Sequence, residues 1–166
     1  MTRRLLLLLA LVALPSAARA QRAIDLPMGA AAPDLALQTL DGQPANLTQW
    51  LGKKPMLLEV WATWCENCEA LAPRILEAKK KYGDKVQFVG IAVSFNQSPA
   101  RVKAHMEKHG FDVFTLYDKK GEADAVYGVK ATSTVITIDK AGKVVYAGAG
   151  GTQDIDAAVR KALGTN

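Results

Sequence analysis

Two cysteines three residues apart, Cys65 and Cys68, constrain this chain more than any other feature of its sequence. They are its only cysteines, and they lie just after an apolar run with strand character, Met56 to Trp61, and just before a helical pattern. A Cys-x-x-Cys pair in this context is typical of a redox-active dithiol. The sequence therefore predicts a strand-turn-helix unit with exchange chemistry at the turn.

The spacing of the cysteines suits thiol-disulfide exchange. A cysteine where a helix begins lies against unpaired backbone N–H groups and the positive end of the helix dipole, which favour thiolate over thiol. We therefore expect Cys65 to be the nucleophile. Cys68 lies one turn further on and shares a helix face with Cys65, so we expect it to be the resolving thiol that attacks a mixed disulfide formed at Cys65.

Two other uses of the cysteines are a static disulfide and half of a zinc site. A disulfide that closes so short a loop stabilises little, because the entropic gain grows with loop length. Zinc would need two more ligands, and only His105 and His109 could supply them, 37 residues beyond Cys68. Both histidines fall in an ordinary helical pattern that Gly110 can end. We interpret them as solvated helix residues and expect no metal.

The first twenty residues indicate export. Arg3 and Arg4 precede an apolar run from Leu5 to Leu14, and the small-residue tripeptide Ala18-Arg19-Ala20 follows. This pattern predicts a secretory signal peptide over residues 1–20, cleaved after its last alanine. Ten apolar residues are too few to cross a bilayer, which takes about 20, so a retained anchor is the weaker alternative. We therefore expect an exported, periplasmic protein.

The charge of the chain depends on this leader. Its removal takes away three arginines and no acid, so the formal net charge falls from +5 to +2. Nucleic-acid binding then has little support.

The remaining 146 residues can bury a core without structural disulfides. We expect a loosely ordered segment over residues 21–33, one domain over residues 34–166, no cofactor, and a monomer.

The rest of the chain alternates strand and helix signals. A short antiparallel unit is predicted at Asp34 to Leu40, because Asp41-Gly42 is a hairpin turn signal. The longest helix is predicted from Cys65 to Tyr82, with Pro73 inside it. Further strands are predicted at residues 86–93, 111–117, 134–138 and 143–147, and further helices at residues 99–109, 122–127 and from Thr152, the expected cap, to Gly164. This order predicts an α/β protein with a mixed central sheet and helices on both faces.

In this order and in its motifs the chain resembles the thioredoxin fold, and within it the exported TlpA/ResA-type thiol-disulfide oxidoreductases. The specific match is the dithiol with its lead-in, Trp61-Ala62-Thr63-Trp64-Cys65-Glu66-Asn67-Cys68. Weaker matches, spread over residues 32–163, are Ala32-Pro33-Asp34, Asp41-Gly42, Pro73, Tyr127-Gly128-Val129, Ile138-Asp139 and Gly142-Lys143-Val144-Val145. The resemblance implies a three-layer thioredoxin-like domain with an N-terminal β-hairpin extension.

The resemblance also implies roles for individual groups. Cys65 would attack a disulfide of a protein substrate, Cys68 would resolve the mixed disulfide, and a membrane-bound thiol donor would re-reduce the pair. Glu59 lies six residues before Cys65, where thioredoxins carry a buried acid near the resolving cysteine. If Glu59 is buried, desolvation raises its pKa and it can take the Cys68 proton. The alternative is that Glu59 points outward from the end of a strand.

The residues expected to bind substrate are Trp64, Thr132 and Ser133. Members of this fold usually have a cis-proline opposite the dithiol, and aligning Tyr127-Gly128-Val129 puts Ser133 at that position. A cis bond before a residue other than proline costs about 2.5 to 4 kcal/mol, so the Thr132–Ser133 bond is either trans or held cis under strain. The hydroxyls of Thr132 and Ser133 are expected to add hydrogen-bond donors there.

Acidic residues beside the cysteines bear on the direction of the reaction. Glu66 and Glu69 place negative charge near Cys65, which opposes thiolate formation and makes the dithiol a stronger reductant. We therefore expect an oxidoreductase that reduces protein disulfides. Two other functions stay open. One is a thiol peroxidase, although Ala62 stands where that chemistry would need a threonine, and the other is a copper or zinc carrier that binds its metal through the two cysteines.

Overall fold

A seven-stranded mixed sheet forms the centre of the protein. The computed structural model describes residues 22–165, and the predicted leader with its cleavage site lies outside the described residues. Among the described residues, no helix is both long enough and apolar enough to cross a membrane. The predicted α/β class, with helices packed on a mixed sheet and a hairpin near the N-terminus, is confirmed.

The elements follow one another in the predicted order. The strands are β1 (Leu37–Thr39), β2 (Pro44–Ala45), β3 (Met56–Trp61), β4 (Gln87–Val93), β5 (Thr115–Asp118), β6 (Thr134–Ile138) and β7 (Val144–Ala149). The helices are α1 (Glu66–Tyr82), α2 (Pro99–His109), α3 (Glu122–Tyr127) and α4 (Ile155–Leu163). In the sheet the strands lie in the order β2-β1-β5-β4-β3-β6-β7. Strands β3, β4 and β5 are parallel to one another, and the other neighbouring pairs are antiparallel.

Strand β3 carries the chain into the dithiol. All six of its residues are buried, as expected for a strand with a neighbour on each side and helices over both faces of the sheet. Because side chains alternate along a strand, Leu57, Glu59 and Trp61 face one side of the sheet while Leu58 and Val60 face the other.

The apolar side chains form one core on each face of the sheet. On one face, α3 packs through Tyr127 against the strands and against residues that precede β3. On the other face, α1, α2 and α4 share a core to which they contribute Leu71, Val102 and Val159, one from each helix. The dithiol helix therefore lies on the same face as Glu59.

Residues 22–33 lead into the domain and contact it. They form a single β-bridge, at Ala31, and otherwise no regular element. Ile24 is buried in the core, and the N–H groups of Asp25 and Leu26 donate to the carbonyl oxygen of Tyr127 at 3.1 and 3.2 Å. These bonds go to the end of α3, which is distant in sequence, so no periodic pattern in the segment could indicate them.

The starts of α4 and β5 differ from the expectations in ways that hydrogen bonds explain. Helix α4 is capped by Asp154 and not by Thr152, because the Asp154 carboxylate accepts from the N–H of Ala157 at 2.9 Å. Strand β5 begins at Thr115 and not at Phe111. The N–H of Phe111 donates to the carbonyl oxygen of Met106 at 2.9 Å, so Phe111 belongs to the C-cap of α2.

Candidate active site

The dithiol lies where β3 ends and α1 begins. Cys65 is the N-cap of α1: its Sγ accepts a hydrogen bond from the Cys68 N–H at 3.1 Å. Its carbonyl oxygen accepts from the N–H groups of Cys68 and Glu69 at 3.0 and 3.1 Å. Cys65 and Cys68 form a disulfide, with their Cα atoms 5.2 Å apart. In the reduced protein, an N–H group directed at Sγ together with the helix dipole would stabilise a Cys65 thiolate.

The two sulfurs differ in accessibility. Cys65 is half-buried, whereas Cys68 is 5% exposed and belongs to the core beneath α1. A substrate can therefore approach Cys65 more readily than Cys68. This asymmetry favours Cys65 as the nucleophile and Cys68 as the resolving thiol.

Glu59 occupies the middle of β3, opposite Gly90 of β4 and Val135 of β6. It is 2% exposed, and neither of its carboxyl oxygens has a hydrogen-bond partner among residues 22–165. Desolvation raises the pKa of Glu59 from 4.5 to about 8. Of the two orientations that the sequence left open, the structure has the inward one. The carboxyl group is therefore mostly protonated at neutral pH.

A pocket of about 220 Å³, called the side pocket below, runs from Glu59 to the surface beside the dithiol. Its walls come from β3, α1, α2 and the segment after α2. The polar and titratable side chains in its lining are Glu59, Trp61, Cys68, Glu69, His105 and His109. Since Glu59 and Cys68 are buried while Glu69 and His109 are exposed, the pocket joins the core at the resolving cysteine to solvent.

His105 is not the solvated residue that the sequence predicted. It is half-buried, and its ring centroid lies 5.8 Å from that of Trp61 and 4.3 Å from that of His109, on which it stacks. Burial, and then the charge of His109, lower the pKa of His105 below 6.5. His109 is exposed, as predicted. The helical pattern of α2 could not show that this helix packs beside the dithiol helix, because that contact joins segments far apart in sequence.

A shallow groove lies beside the dithiol turn, around Trp64. The Trp64 residue is 42% exposed, its Nε1 donates to the carbonyl oxygen of Phe95 at 2.8 Å, and the two rings meet edge to face at 5.9 Å. Phe95 is 67% exposed, and Thr132 lines the same groove. The structure thus places Trp64 and Thr132 in the same groove. Phe95 was missed, although it follows β4, and the carboxyl ends of adjacent parallel strands meet at one edge of a sheet.

Ser133 takes a different position from the one expected for a substrate-binding hydroxyl. The Thr132–Ser133 bond is trans, and Ser133 has a positive φ of 58°. Ser133 is buried, its Oγ accepts from the Gly150 N–H at 3.0 Å, and its carbonyl oxygen accepts from Gln153 Nε2 at 2.9 Å. Its hydroxyl therefore hydrogen-bonds to the loop between β7 and α4 and is not a free donor at the surface. Nothing in the sequence pattern pointed to Gln153.

The side pocket contains cysteine and histidine side chains, but not in a metal-binding arrangement. Within residues 22–165, no group of three or more His, Cys, Asp or Glu side chains lies close enough together to hold a metal ion. The zinc site that combines the dithiol with His105 and His109 is therefore not formed in this part of the chain.

The fold and the site define a class of enzyme. A Cys-x-x-Cys pair caps the helix that follows a central buried strand, and it forms a disulfide whose more accessible sulfur is the first cysteine. This is a thiol-disulfide oxidoreductase with the thioredoxin fold. The chain matches the Redoxin family over residues 27–163, and it belongs to that family.

Individual relatives agree with this class. The chain is 33% identical over 125 residues to thioredoxin-like protein YneN of Bacillus subtilis. The aligned region covers 75% of this chain and 72% of the relative. It is 32% identical over 118 residues to thiol-disulfide oxidoreductase ResA of Bacillus thuringiensis subsp. konkukian, and the aligned region covers 71% of this chain and 67% of the relative. The crystal structure of a secreted Mycobacterium tuberculosis disulfide oxidoreductase homologous to E. coli DsbE is similar with a TM-score of 0.64 and 25% identity, over 77% of this chain and 94% of that one. The predicted family and enzyme class are thereby confirmed.

Proposed function

We propose that this protein reduces disulfide bonds of other proteins outside the cytoplasm. The observation that carries the proposal is the arrangement of the dithiol: an accessible Cys65 at a helix N-terminus, a buried Cys68 behind it, and the unpartnered carboxyl of Glu59 in the same pocket as Cys68. These are the three parts that a two-step exchange needs, namely a nucleophile, a resolving thiol and a proton acceptor.

The proposed reaction starts from the reduced protein. The Cys65 thiolate attacks one sulfur of a substrate disulfide, the substrate S–S bond breaks, and the other substrate sulfur leaves as a thiolate that takes a proton from solvent. Glu59, in its ionised form, accepts the proton of the Cys68 thiol. The Cys68 thiolate then attacks Sγ of Cys65 and releases the second substrate sulfur. Two electrons pass from the dithiol to the substrate, and the enzyme is left with its Cys65–Cys68 disulfide.

Local charge supports the reducing direction. Glu66 and Glu69 lie in the first turn of α1 and are exposed beside the dithiol. Their negative charge opposes the thiolate that the helix N-terminus favours, and enzymes that oxidise strongly are those that stabilise their reduced form. A dithiol whose thiolate is stabilised less gives up its electrons more readily.

The proposal includes a location and partners. The leader predicted over residues 1–20 would export the chain, and one similar protein of known structure is secreted. We infer that the substrate is a protein disulfide that docks at the groove of Trp64 and Thr132, with Phe95 as a further contact. A membrane-bound thiol donor would re-reduce the pair, and the protein would act as a monomer without nucleic acid.

An insulin-reduction assay tests the core of the proposal. We expect the wild-type chain to accelerate reduction of insulin by a dithiol reductant and Cys65→Ser to abolish the acceleration. The matched variant Cys68→Ser should instead accumulate a mixed disulfide at Cys65, because the first attack proceeds and resolution does not. Mass spectrometry of that trapped species from a periplasmic extract would identify the substrate. Full activity in Cys65→Ser would refute the proposal.

A further inference from the structure

The side pocket contains polar groups that the rest of the protein leaves unsatisfied. Neither carboxyl oxygen of Glu59, which lines the pocket, has a hydrogen-bond partner in the part of the chain that the structure describes. Buried polar groups in native proteins are nearly always paired with protein or with ordered water. A pocket of about 220 Å³ has room for several water molecules, each of which takes about 30 Å³ in the liquid. The pocket is therefore suited to a short chain of water between Glu59 and the surface.

The exchange reaction needs such a path if Glu59 acts as proposed above. Because the Glu59 carboxyl is mostly protonated at neutral pH, it must release a proton to solvent before it can accept the Cys68 proton, in the first resolution step as in each later one. Glu59 has a pKa of about 8. An acid of this strength releases its proton directly to water at no more than about 100 s⁻¹, because recombination is limited by diffusion at about 10¹⁰ M⁻¹ s⁻¹. Burial slows direct release further, so a base along the route would accelerate it.

We propose that His105 relays the proton between Glu59 and solvent through water in the side pocket. Its half-buried imidazole lies in the pocket wall and contacts two other rings, the buried ring of Trp61 and the exposed ring of His109. Imidazole can accept a proton on one ring nitrogen and release one from the other. A proton leaves the Glu59 carboxyl, a proton enters solvent from His105, and no electrons move in this step.

The surroundings of His105 favour a neutral ring that passes a proton on. Burial and then the charge of His109 lower the pKa of His105, Glu69 of α1 raises it, and Lys108 and Arg101 lower it by smaller amounts. Because the lowering effects prevail, the pKa of His105 lies below its usual value, which favours the neutral ring that can accept a proton.

The titratable groups that share the pocket with Glu59 come from two helices. Cys68 and Glu69 belong to α1, and His105 and His109 belong to α2. Cys68 is the proton donor of the reaction, and Glu69 and His109 are exposed. His105 is thus intermediate in exposure between the buried carboxyl and the exposed rim of the pocket. The proposal rests on the function proposed above. It adds a residue that moves the proton of Glu59 and does not react with either cysteine.

The test separates the two exchange steps in time. Reduced protein is mixed with an equimolar amount of dithiobis(nitrobenzoate), which releases one coloured thionitrobenzoate when Cys65 attacks and a second when Cys68 resolves the mixed disulfide. At pH 7 we expect His105→Ala to leave the first release unchanged and to slow the second about tenfold, less than the 10²–10⁴-fold typical of a direct acid–base group. The matched control Glu107→Ala, an exposed residue of α2 outside the pocket lining, should leave both releases unchanged.

Rescue by added imidazole distinguishes a relay from a structural role. Loss of the His105 ring leaves space in the pocket wall, and we expect dissolved imidazole to restore the second release in His105→Ala, with a rate that saturates as its concentration rises. The wild type and Glu107→Ala should not respond. If His105→Ala does not fold, as judged by circular dichroism, His105→Gln keeps most of the volume and should show the same slow second release.

The outcomes tell the two proposals apart. If Glu59→Gln slows the second release and neither His105 variant does, the relay is wrong and the proposed function stands. If Glu59→Gln has no effect on the second release, the proton-accepting role of Glu59 and the relay are both wrong. If the reduced wild type releases no thionitrobenzoate at all, the proposed function itself is wrong. A slowed second release in His105→Ala that imidazole does not restore would also refute the relay.

Discussion

A buried carboxyl group inside a sheet, with no hydrogen-bond partner for either oxygen within residues 22–165, lowers the stability of the fold at neutral pH. Glu59 keeps its proton in the folded protein up to a pKa of about 8, whereas in the unfolded chain it ionises near 4.5. An apolar residue in the middle of β3 would avoid this penalty. The presence of an ionisable group there is therefore better explained by chemistry than by packing, as in other sites where burial tunes a carboxyl group.

This penalty gives the first prediction, that Glu59→Gln stabilises the oxidised protein increasingly as the pH rises. Below pH 4.5 the carboxyl is protonated in both states and ionisation costs nothing. Between pH 4.5 and 8 the unfolded chain releases the proton and the folded one retains it, so the wild type loses stability through this window. The gain from Glu59→Gln should be about 3–4 kcal/mol larger at pH 8 than at pH 5, at 1.36 kcal/mol per pKa unit.

The measurement is urea unfolding of the wild type and of Glu59→Gln at both pH values, with the disulfide intact. Other titrating groups contribute equally to both proteins and cancel in the difference. Glu59→Leu, which removes the titrating group in another way, should show the same pH trend. A difference between wild type and Glu59→Gln that stays constant from pH 5 to pH 8 would mean that the carboxyl is not desolvated.

At the scale of elements, the dithiol helix and the strand before it could be predicted, because their signals are local. An apolar run, a Cys-x-x-Cys pair and a helical stripe stand next to one another in the chain, and β3 and α1 begin and end within one residue of their predicted positions. The start of α4 is wrong in the sequence prediction, which assigned the cap to Thr152, since Thr152 and Asp154 are both good capping residues. Only the hydrogen bond from Ala157 to Asp154 decides between them.

The second prediction is that Asp154→Ala destabilises the protein by about 1 kcal/mol, the usual effect of losing an N-cap. The substitution leaves the N–H of Ala157 without its side-chain acceptor at the start of a helix that packs on the sheet through Val159. Thr152→Ala is the matched control, because Thr152 is exposed and caps nothing. It should change stability by less than about 0.5 kcal/mol. Thermal unfolding of both variants is the measurement, and a larger loss in Thr152→Ala would assign the cap to that residue after all.

At the scale of the whole molecule, the site depends on contacts that no local pattern reveals. The inward orientation of Glu59 follows from the register of β3 between β4 and β6, and the place of His105 follows from the packing of α2 beside α1. Both require the order of strands in the sheet, which is a property of the complete chain. The cysteines could therefore be assigned from the sequence, while the side pocket behind them and the position of Ser133 could not.

The packing of residues 22–33 likewise depends on contacts between distant parts of the chain, and it leads to the last prediction. Ile24 is 2% exposed and belongs to the core that Tyr127 shares, while Met28 in the same segment is 52% exposed. If the segment is an integral part of the domain, Ile24→Ala should lower the free energy of unfolding by about 2–4 kcal/mol, as for other buried isoleucines. Met28→Ala should change it by less than about 0.5 kcal/mol. Urea unfolding of the two variants measures this contrast, and equal, small effects would show that the segment detaches from the domain without cost to the core.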